Sequence, residues 1–160
     1  MAILVGVVAL AVIPYLEKSR ESKDLQALDT LASAATTAVA DAKVTQAGSL
    51  TIDTSSTTWG TQTAGSDADK IQNAIKSTLG EAVPTFSSNA AKNQTITVKW
   101  DTSKNIVAVY IANTNADWQA SVTIGNDTTP IANVAACQYN DHALFCISNT
   151  KVNGTATEKS

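Results

Sequence analysis

Two cysteines, one histidine and a scatter of aspartates are the residues of this 160-residue chain whose types could do chemistry. Asp141-His142 sits between Cys137 and Cys146, and an acid beside an imidazole suggests acid–base work. A lone His in a loop is more simply an exposed bystander, and no Ser has a placed His and acid to make a triad. Two Cys and one His supply too few soft or imidazole ligands for a metal centre. Asp101, Asp127 and Asp141 read as turn formers, and no calcium-loop motif surrounds them. Trp59, Trp100 and Trp118 read as core anchors or sheet cover rather than a sugar platform. Asn93-Gln94-Thr95, Asn126-Asp127-Thr128 and Asn153-Gly154-Thr155 are acceptor-type sequons, at a frequency that chance explains in so Thr- and Asn-rich a chain. There is no Gly-rich phosphate loop and no haem-attachment motif. We therefore expect no enzyme and no cofactor.

Composition bounds the remaining classes. Hydrophobic residues make up 44%, enough for a core, while charged residues are only 16%. The net charge of -3 argues against a general nucleic-acid partner, which would select a basic face. Abundant Thr, Ser and Asn point to exposed strands and loops.

The elements that must position these residues begin with an apolar run. Residues 1–13 read MAILVGVVALAVI, without charge or polar side chain, and Pro14, Tyr15 and Leu16 follow. That is short of the ~20 residues a membrane span needs. A signal peptide would show a basic start, which is absent here. A core helix apolar on every side would need cover all round. The third reading, the later part of a longer apolar helix, fits best. After a charged stretch from Glu17 to Asp24, Leu25, Leu28, Ala32, Ala35, Val39 and Ala42 recur at helical spacing. No Gly or Pro interrupts the chain between Tyr15 and Ala47. One helix is predicted from near residue 1 to about residue 46, bent near Pro14 and roughly 70 Å long. A domain of this size is only ~30–40 Å across, so the N-terminal half must project.

Beyond Gly48, a short strand is expected around Leu50–Asp53. A helix is capped by Ser66, carries Ile71, Ala74, Ile75 and Leu79 on one face, and stops at Gly80. Strands are predicted at 95–100, 106–112, 118–124, 131–138 and 143–148, with a frayed polar tail from Asn149. The fold class is α+β: a long helix whose C-terminal half packs against an antiparallel meander. Residues 1–47 form the helix and residues 48–160 the head.

At this point the chain resembles the type IV pilin family, which includes the pseudopilins of type II secretion. Gly6 and Pro14 match that family's helix-weakening pair, and Ala11 to Pro14 resembles its small-apolar-Ile-Pro ending. Tyr15, Glu17, Lys18 and Arg20 after the proline also resemble it, as do the Ala-rich amphipathic half and the two late cysteines. The family's processing site, aromatic first residue and early Glu have no counterpart ahead of Met1, so no residue here takes those roles.

The resemblance implies a structural subunit of an extracellular, type IV pilus-like filament on a bacterial surface. Its partners would be itself, the inner membrane before assembly, and the pilus or secretion assembly machinery. Ile3, Leu4, Val5, Val7, Val8, Leu10, Val12 and Ile13 would form the filament core. Gly6 and Pro14 would break the helix, with unwinding between them favoured over a simple kink. Export would favour a disulfide between Cys137 and Cys146, the alternative being two reduced thiols. A pseudopilin, and a membrane-tethered or secreted binding domain that never polymerises, are the competing readings.

Overall fold

The computed structural model describes residues 2–112, 118–136 and 144–158, with side chains described from Tyr15 onward and not for residue 158. The chain is α+β. α1 (Ala2–Asp41) is followed by β1 (Gly48–Asp53), α2 (Asp67–Leu79), β2 (Thr95–Asp101), β3 (Ile106–Ala112), β4 (Trp118–Ile124), β5 (Ile131–Ala136), β6 (Cys146–Ser148) and β7 (Val152–Glu158).

α1 forms because Ala and unbranched residues dominate its second half and no helix breaker follows Pro14. Its hydroxyl side chains do not compete with the ladder. Ser22, Thr30, Thr36 and Thr37 each donate to the carbonyl four residues earlier. The helix is unbroken from Ala2 to Asp41, so the unwinding expected between Gly6 and Pro14 does not occur. Proline deletes a single ladder bond, and the rest of the ladder persists around it. The helix also ends five residues before the expected stop at about 46. Lys43 takes a left-handed φ of 50°, which terminates the helix without a glycine. At 1.5 Å per residue, 40 residues span about 60 Å.

α2 is fixed by its ends. Ser66 Oγ accepts the Asp69 N–H, and the Asp69 carboxylate accepts the Gly65 N–H in return. Gly80, at φ 99°, donates its N–H to the Lys76 carbonyl and stops the helix.

The seven described strands form one sheet in the order β1-β2-β3-β5-β4-β7, with β6 also paired to β3. This is not the expected meander. β5 lies between β3 and β4, and β6 shares the β3 edge with it. Phe145 ties that edge together: it accepts the Ile111 N–H and donates to the Ala135 carbonyl. The tail expected to fray is instead strand β7, paired with β4 from Trp118↔Glu158 to Ile124↔Val152. Its anchor is Gly154. A Cβ there would lie 2.7 Å from Val122 Cγ1 and 2.8 Å from Leu144 Cδ1, so only glycine lets the edge strand close down.

β3 (IVAVYIA) is apolar on both faces because it is buried on both. Val107, Val109 and Ile111 face α1 and α2 in the main core, with Leu28, Leu31, Ile71, Ile75, Ile96, Val98 and Phe145. Ile106 and Ala108 join Ala120, Val122, Ile124 and Val134 in a second cluster on the other side. The main core also contains Ala32, Ala35, Ala38, Val39 and Val44, so the C-terminal half of α1 and the sheet share one interior.

Candidate self-assembly surface

The grip of the head on α1 has a definable start. Leu28, Ala32, Ala35 and Val39 of the expected stripe are buried, and Leu25 and Ala42 are partly buried against the same core. Leu31, Ala34 and Ala38 are buried too, which the sequence reading missed. They lie on the adjoining row of the same face, and their 3–4 spacing was the available signal.

The stripe continues N-terminally in carboxylates. Glu21 and Asp24 are 5% and 3% exposed. Asp24 Oδ2 accepts the Ser88 N–H at 2.8 Å, and its two oxygens accept the Ser87 N–H at 3.1 and 3.3 Å. Glu17 accepts the Asn89 N–H and pairs with Arg20 at 3.6 Å. A turn of backbone N–H groups from a loop far along the chain is thus held on one face of α1 by Glu17 and Asp24, seven residues apart. The physical reason is that orphan N–H groups at the start of a turn attract carboxylates. Ser88 Oγ in that turn is buried without a hydrogen-bond partner.

Before Glu17 the picture changes. Tyr15 is 74% exposed and Leu16 48% exposed, the only large apolar side chains so exposed among the described residues. Ile3, Leu4, Val5, Gly6, Val7, Val8, Leu10, Val12, Ile13 and Pro14 belong to α1, but their side chains lie outside those described. Among the described residues no helix is long and apolar enough to cross a membrane, and the run at 1–13 stands outside that statement.

No family model, no curated protein and no solved structure matches this chain.

The other sequence candidates fall into place separately. Cys146 is buried and pairs with no cysteine among the described residues, and burial pushes its thiol up to about 12. Its expected disulfide partner Cys137 lies outside the described residues, as do Asp141 and His142. Asp101 and Asp127 act as turn formers. Asp101 Oδ1 accepts Ser103 N–H and Oγ–H, and Asp127 Oδ1 accepts the Thr129 N–H. Those bonds hold both carboxyls below the usual range, with Lys104 adding to them. Trp100 is buried, its indole N–H donating to the Gln46 carbonyl at 3.1 Å. Trp59 donates to Glu81 O, and Trp118 packs against the second cluster. Among the described residues no three acidic, imidazole or thiol groups are placed to hold a metal ion.

Proposed function

We propose that this chain is a structural subunit of a type IV pilus-like filament that polymerises through the N-terminal part of α1. The observation that carries this reading is where the head lets go. Among the described side chains its hydrogen bonds on α1 begin at Glu17, Tyr15 and Leu16 are exposed, and the same helix continues into the apolar run at 2–13. A helix apolar on all sides must be covered by lipid or protein. Ile3, Leu4, Val5, Val7, Val8, Leu10, Val12 and Ile13 would together gain on the order of 10 kcal/mol or more by leaving water.

Lipid before assembly and neighbouring copies after it would each provide that cover. Transfer from lipid to a helix bundle gains little by itself, so assembly relies on close packing. Ala2, Gly6, Ala9 and Ala11 have the small side chains that allow helices to approach. The resemblance of Gly6, Pro14 and Tyr15 to the pilin pattern supports the same reading.

Negative-stain microscopy of material sheared from expressing cells tests it. A filament subunit yields fibres of uniform diameter. A tethered, non-polymerising domain stays with the membrane fraction and yields none.

A further inference from the structure

Residues 17–24 of α1 carry three carboxylates and three cations, so the stretch has no net charge. Folding separates the two signs. Glu21 and Asp24 are buried, and Glu17 and Asp24 accept the N–H groups of residues 87–89. Lys18, Arg20 and Lys23 are all exposed. Among the described residues Lys18 and Lys23 have no ion pair. Arg20 lies 3.6 Å from Glu17, with half of its side chain open to solvent.

The cations form a partial collar rather than a row. At about 100° per residue, Lys18, Lys23 and Arg20 spread over about 200° of the helix circumference, and the three carboxylates fill the arc that the head covers. Lys18 and Lys23 differ by about 7.5 Å in height along the axis. That is comparable to the interfacial layer on one side of a bilayer, about 5–8 Å. The Cα–Cβ bonds of a helix tilt towards its N-terminus, so all three side chains start out towards the apolar run at 2–13. Tyr15 and Leu16 are exposed between that run and the collar. An aromatic ring followed by long cationic side chains is the order met at a membrane surface. The next exposed carboxylate on α1, Asp29, comes six residues after Lys23.

We propose that Lys18, Arg20 and Lys23 bind the headgroups of anionic phospholipids around α1. The inference rests on the reading that lipid covers the apolar run before assembly, and it names the lipid that the helix selects. A fluid layer of headgroups reaches all three cations at once. One flat protein surface does not, because the collar turns through more than half of the helix. Neutral headgroups offer the cations no net charge, whereas each Lys or Arg near an anionic surface is worth roughly a fivefold preference. The head makes the collar: without it the same helix would present both signs to the membrane surface.

Spin-label electron paramagnetic resonance tests it on the full chain reconstituted in phosphatidylcholine bilayers. The probes are spin-labelled phosphatidylglycerol and spin-labelled phosphatidylcholine. Lipid held at the helix gives a motionally restricted component. At low salt the wild type should hold phosphatidylglycerol about fivefold more strongly than phosphatidylcholine, and salt at about 1 M should bring the two together. Lys18→Gln, Arg20→Gln and Lys23→Gln combined should abolish the preference and leave the phosphatidylcholine component unchanged. Lys23→Gln alone, which breaks no ion pair, should lower it to about threefold. This single variant keeps the test decisive if the triple variant disturbs the head. Equal restriction of both lipids by the wild type, or a preference that the triple variant keeps, overturns the proposal and leaves the lipid cover of the apolar run standing. No restricted component with either probe overturns that cover and the proposal with it. An absent preference, together with fibres lost in the triple variant, assigns the collar to a second copy and equally overturns it.

Discussion

Asp24 on α1 accepts the backbone N–H of Ser88 at 2.8 Å across a sequence separation of 64 residues, and both groups are buried. This bond, with its neighbours at Ser87 and Asn89, fixes where the head takes hold of the helix. Asp24→Ala leaves the buried Ser88 N–H and the part-buried Ser87 N–H without that acceptor. It should destabilise the head by about 2–4 kcal/mol, and Asp24→Asn by less, since its amide oxygen still accepts. Chemical denaturation of the three proteins checks the order. Ser88→Ala, which removes a buried hydroxyl without a partner, should be neutral or slightly stabilising in the same assay.

Leu31 is fully buried on the helix row that adjoins the expected stripe. Leu31→Ala should cost about 2–5 kcal/mol through lost burial and a residual cavity. Thr30→Ala, on the exposed face, should change stability by less than about 0.5 kcal/mol. Equal effects at the two positions would mean that α1 is docked in a different rotation.

Gly154→Ala should strain β7 against Val122 and Leu144 and cost about 1–3 kcal/mol. Amide exchange in residues 152–158 should rise well before exchange in β2 and β3 does. Unchanged protection would show that the edge strand has room that the distances deny.

Cys146 should resist iodoacetamide in the native chain, because burial holds its pKa at about 12 and the thiol stays protonated. The folded pKa is raised, so the stabilisation from this group is fully present below the unfolded value near 9. It is lost as pH rises from there toward about 12. In denaturant without reductant, a free Cys146 is alkylated. A Cys146 paired with Cys137 is not, and a chain so paired weighs less by two hydrogens.

Much of the scaffold was legible because burial and period coincide. IVAVYIA could only be a strand covered on both sides, and Ser66 and Gly80 carry caps that act within a few residues. What was not legible depends on distant partners or on unusual backbone. VNGTATE is polar, and it is a strand because Gly154 admits Val122 and Leu144. Lys43 ends α1 in a conformation that favours glycine, so the missing Gly hid the stop. Glu21 and Asp24 carry charges that normally face water, and nothing nearby in sequence reveals that a turn at 87–89 would cover Asp24. At the proposed assembly surface, the apolar run ending at Pro14 was readable. The carboxylates that mark the edge of the head were not.

The most direct test introduces a charge on the helix beyond the head. Val8→Asp and Leu10→Lys place an ion where neighbouring copies are proposed to pack, more than one helical turn from Tyr15. Electron micrographs of cells expressing either variant should show no fibres, while the denaturation midpoint of the head matches the wild type. Fibres that persist with both charges, at wild-type number and diameter, would contradict the account.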